Sequence, residues 1–199
     1  MPTGVAIRDV REQLFAAAER VLLRDGPSGL TSRAVTAEAG VAKGVLHRHF
    51  DDFDAFLAEL VLDRIDRIGR QTAALRASAG TGTIAGNLAG VLTDLFGSVA
   101  QKIVSLIIFR DDLRARLRQI TPSRIPVATE AVAMIVSYLA AERDLGRIAA
   151  GADVDGLALT LIGTCHLLFA GSGATSPEEP GEEAVRKMVA TALSGVLRD

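Results

Sequence analysis

The stretch from Thr31 to Phe50 concentrates side chains that can bind a polyanion. It reads TSRAVTAEAGVAKGVLHRHF, and its charged and titratable side chains are Arg33, Glu38, Lys43, His47, Arg48 and His49. Three of these are permanent cations and one is an acid, whereas the whole 199-residue chain has a net charge of −2. A basic surface on this chain must therefore be small and local, and the phosphates of a nucleic acid are the ligand that such a patch predicts.

Two short helices joined by a tight turn can position these side chains. The hydroxyl of Thr31 can accept a backbone N–H, so a first helix is predicted from Thr31 to Ala39. Gly40 suits the left-handed residue that ends a helix, and a second helix is predicted from about Ala42 to Phe50. Each helix is too short to be stable alone, so packing must hold the pair together.

An apolar cluster between the two helices provides that packing. Its members are Val35, Ala39, Val41, Leu46 and Phe50. A longer helix predicted over Arg8–Arg24 carries an apolar stripe at three- and four-residue spacings, which can cover the cluster from behind. The face of the second helix that this arrangement leaves exposed consists of Lys43, Gly44, His47 and Arg48.

A short helix held in this way fits the major groove of DNA, where its first residues reach base edges and flanking groups reach phosphates. Gly44 costs about 1 kcal/mol of helix stability against alanine, and it is explained if the backbone must come very close to a ligand. An Ala-Gly-Val turn alone could equally be a packing corner. The whole string in register, with a long helix before it, favours DNA binding.

The pattern from Thr31 to Phe56 resembles the TetR family of bacterial transcriptional regulators. The residues that carry the resemblance are Thr31, Val35, Ala39-Gly40-Val41, Lys43-Gly44, Leu46, His49-Phe50 and Phe56. It implies a ligand-responsive regulator, usually a repressor, that binds a palindromic operator as a homodimer and releases it when a small molecule binds the C-terminal domain. The residues expected to contact DNA are Thr31, Ser32, Arg33, Ala42, Lys43, Gly44, Val45, His47, Arg48 and His49.

Four positions differ from the residues that are usual in the family. Ala42 stands where serine is usual, Val45 where threonine is frequent, His47 where tyrosine is usual, and Phe53 where lysine is usual. Several of these positions contact phosphates in the family, and phosphate contacts supply much of the affinity for DNA. An alternative is therefore a helical small-molecule-binding protein with weakened or lost DNA binding. We also expect His47, once protonated, to strengthen DNA binding as the pH falls from about 8 to 6.

The rest of the chain is also predicted to be helical, because no segment alternates with period two. Together with the N-terminal helices this gives an all-α fold, with a three-helix helix-turn-helix domain over residues 1–52 and a larger C-terminal effector-binding and dimerisation domain over residues 53–199. The further helices are predicted at about Asp52–Ala77, with Asp51 or Asp52 as its cap, and at Thr83–Gln101, Ile103–Gln119, Ile125–Ala141, Asp153–Ala170 and Gly181–Leu197. Apolar residues make up 49% of the chain and the mean hydropathy is +0.29, which is ample for a core.

The C-terminal domain is expected to bind a small, largely apolar effector, because such pockets combine apolar walls with a few polar groups. The candidate ligand-binding residues are Phe96, Ser105, Phe109, Met134, Tyr138, Thr164, His166 and Phe169. The last two predicted helices, over residues 153–170 and 181–197, carry apolar faces suited to a two-fold four-helix interface. We therefore expect a homodimer through them, although both could instead pack within one subunit.

Other chemistries find little support. Asp111 and Asp112 are adjacent and diverge on a helix, the Gly80–Ala85 string lacks the strand that a dinucleotide site needs, and Cys165 lies in an apolar helix with few possible ligands nearby. We expect no enzyme activity, no metal and no cofactor. The apolar run Leu157–Ala170 is shorter than the roughly 20 residues that span a bilayer, and the N-terminus has no apolar leader, so the cytoplasm is the expected compartment.

Overall fold

The computed structural model describes residues 4–97, 99–121, 126–170 and 180–198. Over these residues the chain is helical, and the extended pairing seen there is an isolated antiparallel bridge between Ile148 and Leu197. The predicted all-α fold class is confirmed. The helices are α1 (Gly4–Gly29), α2 (Ser32–Glu38), α3 (Gly44–His49), α4 (Phe53–Ala77), α5 (Ile84–Phe96), α6 (Ala100–Phe109), α7 (Asp111–Ile120), α8 (Pro126–Asp144), α9 (Val154–Ala170) and α10 (Glu182–Leu193).

The chain packs as two compact units. The first unit comprises Met1–Arg64 and Val99–Ile125, and the second comprises Ile65–Ser98 and Pro126–Asp199. The first unit therefore adds α6 and α7 to the N-terminal helices, and the division falls inside α4. These units divide the chain by packing, whereas the boundary expected at residue 52 divides it by function, and that functional division stays a prediction.

An aromatic cluster forms the centre of the first unit. The ring of Phe15 lies 6.0 Å from that of Phe50 and 5.6 Å from that of Phe56, and the last two rings meet edge to face at 5.0 Å. Aromatic pairs at such spacings add about 0.5–1.5 kcal/mol each beyond the area they bury. Val35 and Leu46 are fully buried beside them, so the predicted packing skeleton of α2 and α3 is confirmed.

The single helix predicted over Ile103–Gln119 is wrong, because the chain breaks at Arg110. This residue is extended, with φ −122° and ψ 97°, and it separates α6 from α7. Asp111 and Asp112 occupy the first turn of α7, where acidic side chains favour a helix start. The side chain of Arg110 bonds to Asp54 of α4 instead of continuing a helical face. Arg110 and Asp54 are far apart in the sequence, so a local hydrophobic pattern does not reveal the contact that accompanies this break.

The ends of two other predicted helices also differ. Thr83 caps α5 as expected, since its hydroxyl accepts the N–H of Gly86 at 3.1 Å. However, α5 ends at Phe96 rather than near Gln101, and the N–H of Gly97 closes it on the carbonyl of Thr93 at 2.7 Å. Similarly, α10 ends at Leu193 rather than at Leu197, because Leu197 pairs with Ile148 in the antiparallel bridge.

A buried polar network joins the elements of the second unit. The carboxylate of Glu142 is fully buried, accepts the N–H of Gly80 at 3.3 Å and pairs with Arg147 at 3.1 Å. The fully buried hydroxyl of Tyr138 accepts from the amide of Asn87 at 3.0 Å, and burial is the main cause that raises the pKa of this phenol. The network ties α8 to α5 and to the loop between α4 and α5.

Helix α9 buries one face and exposes another. Ala158, Leu161 and Cys165 are fully buried, whereas Leu159 and Leu167 are 61% and 74% exposed. Burial raises the pKa of the Cys165 thiol to about 12, which disfavours the nucleophilic thiolate.

By length and apolar composition, no single helix of the described ranges could cross a membrane, and only the bent pair of α5 with α6 meets those criteria.

Candidate nucleic-acid interface

Local hydrogen bonds shape the corner between α2 and α3. The hydroxyl of Thr31 accepts the N–H of Ala34 at 3.1 Å, which confirms the predicted N-cap. Gly40 has φ +66°, the left-handed conformation predicted for it, and the N–H of Val41 then closes on the carbonyl of Thr36 at 3.0 Å. A side chain at residue 40 would be strained in this conformation, so the turn depends on glycine there.

A groove of about 420 Å³ lies on the exposed side of this corner. It is lined by Ser32, Arg33, Thr36, Lys43, Gly44 and His47. None of these described lining residues is acidic, and Arg33, Lys43 and His47 are all exposed. Two fixed cations, one titratable imidazole and two hydroxyl side chains therefore surround a concave surface. Such a set matches the donors that contact phosphates in protein–DNA interfaces.

Gly44 lines this groove without any need for glycine inside the protein. A Cβ atom built at residue 44 would meet nothing within 4 Å, and its φ is not positive. A Cβ at Gly29, in contrast, would lie 2.4 Å from the Cβ of Asp25. Neither packing nor backbone conformation within the protein explains the glycine at residue 44. A side chain there would affect only a ligand that approaches the exposed side of α3.

The other residues predicted to contact DNA lie on the same helices. Thr31, Ala42 and Arg48 are exposed, whereas Val45 and His49 are half-buried. The carbonyl of His49 accepts from Arg11 Nη1 at 3.3 Å, which ties the end of α3 to α1. The predicted set thus divides into residues that line the groove and residues that flank it.

The start of α4 carries Phe53, one of the four positions that differ from the residues usual in the family. The ring of Phe53 stacks on that of Phe56 with centroids 5.7 Å apart, and the guanidinium of Arg110 lies 5.3 Å from the centroid of Phe53. Arg110 Nε also donates to Asp54 at 2.7 Å, and Arg116 pairs with Asp52 at 2.7 Å. Phe53 therefore forms a cation–π contact inside the protein. Both arginines come from the α6–α7 region, and no sequence pattern connects that region to this site.

Asp52 caps α4, which confirms one of the two residues predicted for this cap. Its carboxylate accepts the N–H of Ala55 at 2.6 Å. That backbone hydrogen bond is the main cause that lowers the pKa of Asp52, and Arg116 lowers it further. The turn directly after α3 thus keeps an ionised acid, and Arg116 supplies its countercharge.

The comparisons with known proteins agree with this geometry. Residues 14–60 match the family model for bacterial regulatory proteins of the tetR family. The N-terminal domain is a TetR-family domain. The match covers α2, the turn and α3, together with much of α1 and the start of α4. The TetR-family helix-turn-helix is therefore the element that carries the groove.

Solved structures share the fold over most of the chain, and one of them is a TetR-family member. A family member from Streptomyces coelicolor A3 is 23% identical, with 92% of this chain and 97% of that chain covered and a TM-score of 0.63. FadR from Bacillus subtilis, in complex with stearoyl-CoA, is 16% identical, with 92% and 98% covered and a TM-score of 0.65. SmeT in complex with triclosan is 18% identical, with 95% and 92% covered and a TM-score of 0.65. No curated protein sequence matches the chain.

The candidate ligand-binding residues fall in different places. In the second unit Phe96, Met134, Tyr138 and Phe169 are buried, whereas Thr164 and His166 are exposed. The rings of Phe96 and Phe169 lie 5.8 Å apart. Ser105 and Phe109 belong to the first unit and line a separate groove. The assignment of these residues to one effector site stays a prediction.

Two polar side chains of the second unit were not singled out by the sequence. Gln71 Oε1 and Thr93 Oγ1 are buried atoms with no hydrogen-bond partner among the residues that the structure describes. Buried polar atoms almost always have a partner, so both atoms are candidates for contact with a polar group of a ligand. Nothing in their local sequence distinguishes them from other helical Gln and Thr residues.

Proposed function

We propose that this TetR-family chain is a transcriptional regulator that binds a palindromic operator as a homodimer and represses transcription until an apolar small molecule releases it. The observation that carries the proposal is the exposed basic groove between α2 and α3, lined by Arg33, Lys43 and His47. In this arrangement Lys43 and Gly44 approach base edges from the first turn of α3, and Arg33 approaches a phosphate.

Fluorescence anisotropy with DNA from upstream of the protein's own gene tests DNA binding. We expect Lys43→Gln to weaken binding by about tenfold and to reduce the slope of log affinity against log salt by about 1, because one phosphate or base contact is lost. Lys102→Gln is the matched control, since this exposed lysine of α6 does not line the groove. An equal effect of both substitutions would contradict the placement of DNA on α3.

A second candidate is a helical small-molecule-binding protein that has lost DNA binding. The observation in its favour is the start of α4, where Phe53 contacts Phe56 and Arg110 and is flanked by the acidic Asp52 and Asp54. The same titration separates the two candidates. Absence of saturable binding to the upstream DNA at low salt, with the protein folded, would favour the second.

The dimer is proposed to form through α9 and α10. Leu159 and Leu167 lie eight residues apart on one face of α9 and are both largely exposed, with the small Gly163 between them. An isologous contact of this face with its two-fold copy would bury both leucines. Binding of two successive half-sites requires such a two-fold dimer.

Light scattering coupled to size-exclusion chromatography tests the dimer. We expect the wild type to elute as a dimer and the double variant Leu159→Glu with Leu167→Glu as a monomer, because four carboxylates would be buried against apolar surface. Leu145→Glu is the control, since Leu145 is 58% exposed in the turn after α8. A double variant that remains a dimer would exclude this face of α9.

The effector is proposed to be a small molecule with a largely apolar body that binds the second unit. SmeT and FadR, which share the fold, were solved with triclosan and stearoyl-CoA. Gln71 and Thr93 would contact the polar group of such a ligand. Native mass spectrometry of the purified protein, followed by operator release with any ligand found, tests this, and equal operator affinity with and without that ligand would contradict it.

DNA binding is expected to depend on pH through His47. The imidazole lines the same groove as Arg33 and Lys43, and its protonation adds a third positive charge there. Affinity should therefore rise by about threefold to tenfold as the pH falls from about 8 to 6, and His47→Tyr should flatten this dependence. The half-buried His49 provides the control, because His49→Gln should leave the dependence unchanged. A flat wild-type profile would contradict the role of His47.

A further inference from the structure

Phe109 is the last residue of α6 and is 83% exposed. Its neighbour Ile108 is 42% exposed, whereas Leu106 and Ile107 of the same helix are buried. Single exposed apolar residues are common on proteins. Phe109 differs from a scattered residue because it lies on the wall of a groove, so its ring is available to an occupant of that groove.

The groove has a volume of about 530 Å³ and lies within the first unit. It is lined by Pro27, Ser28, Ser105, Leu106, Phe109 and Arg110. One wall follows the kink in α1 at Gly26, which has φ +70°, and the other is the end of α6. A volume of about 300–1,000 Å³ with mostly apolar walls and a few polar groups is typical of sites for small molecules.

Arg110 offers this groove hydrogen-bond donors for an anion, although its charge is shared with Asp54. It is the charged residue among the described lining residues. Its Nε donates to Asp54 at 2.7 Å and its guanidinium lies over the ring of Phe53, so the side chain is held in place from one side. No described residue accepts a hydrogen bond from its Nη1 or Nη2. These two nitrogens form the fork that binds a carboxylate with two parallel hydrogen bonds.

We propose that this groove is a second small-molecule site that binds an apolar carboxylate. The hydrocarbon body lies against Phe109, Leu106 and Pro27, and the carboxylate bonds to Nη1 and Nη2 of Arg110. The site is separate from the groove between α2 and α3 and from the effector site proposed for the second unit. The proposal does not depend on DNA binding.

A tryptophan at residue 109 tests the site directly. The chain contains no tryptophan, so Phe109→Trp places a single fluorescent reporter on the groove wall while keeping an aromatic ring. We expect its emission to shift to the blue and to saturate with sodium octanoate. Octanol should bind at least about tenfold more weakly, and octyltrimethylammonium should not saturate, because only the carboxylate uses the guanidinium fork.

A second substitution in the reporter protein tests Arg110. Arg110→Gln should weaken octanoate at least about tenfold and leave octanol unchanged, and Arg110→Lys should fall between them. Far-UV circular dichroism verifies that each variant is folded. Leu145→Trp, in the second unit, is the control reporter and should not respond.

Three outcomes would overturn the proposal. One is the absence of a saturable shift with octanoate, and another is an equal response to all three probes. The third is a shift that depends on protein concentration alone, which would mean that a second copy of the chain occupies the groove. Because no arm uses DNA, none of these outcomes bears on the regulator function.

Discussion

Replacing Gly44 with alanine will weaken operator binding by about tenfold without destabilising the free protein. A Cβ at residue 44 meets nothing within 4 Å in the folded chain, and alanine favours a helix over glycine by up to about 1 kcal/mol. Against DNA the same methyl group must fit into a packed contact, which costs about 1–3 kcal/mol, and 1.4 kcal/mol is tenfold in affinity. Anisotropy titration and urea unfolding of the same preparations measure the two effects.

Gly69→Ala is the matched control for this substitution. Gly69 is also an exposed helical glycine with open space around its Cβ position, but it lies in the second unit, in α4. We expect a similar gain in stability and no change in DNA affinity. Gly44→Leu should weaken binding further than Gly44→Ala. Equal DNA affinity of Gly44→Ala and the wild type would mean that α3 does not approach DNA closely at this residue.

Replacing Glu142 with alanine will lower the free energy of unfolding by about 3 kcal/mol, because it leaves buried partners without their acceptor. Glu142 is 0% exposed, and the N–H of Gly80 and the guanidinium of Arg147 both bond to it. The side chain of Arg147 is 30% exposed and can turn toward water, which keeps the loss below that of a wholly buried ion pair. Urea unfolding followed at 222 nm measures the change.

Two further variants make this experiment specific. Glu130→Ala removes a half-buried carboxylate from the same helix and should change stability by less than about 0.5 kcal/mol. Tyr138→Phe removes the hydroxyl that accepts from Asn87 and should cost about 1–3 kcal/mol. If Glu142→Ala proved as mild as Glu130→Ala, the buried network would not stabilise the second unit.

The helix-turn-helix could be predicted because its determinants lie within a few residues of one another. The cap at Thr31 and the left-handed turn at Gly40 depend on side-chain type and on hydrogen bonds over three to five residues. The burial of Val35 and Leu46 follows from helical periodicity. These local rules also placed Lys43, an exposed cation, on the outer face.

The break at Arg110 could not be predicted, because its cause is remote in sequence. Residues 103–119 have the composition of one amphipathic helix, yet Arg110 bonds to Asp54, 56 residues earlier. The guanidinium of the same residue also covers the ring of Phe53, which stands where the family usually has lysine. Neither Phe53 nor Arg110 predicts the other unless the path of the chain between them is known.

The all-helical fold, the corner between α2 and α3, and the exposed basic residues of that corner all follow from local sequence. Periodicity, capping and turn conformation act over one or two helical turns, so they can be read from adjacent residues. Three other features emerge from long-range packing: Glu142 lies at the centre of a buried network, Arg110 and Arg116 neutralise the acids at the start of α4, and Gly44 has open space around it. Burial and charge pairing depend on which residues, distant in the sequence, contact each other in the folded chain. Residue type alone does not determine those contacts.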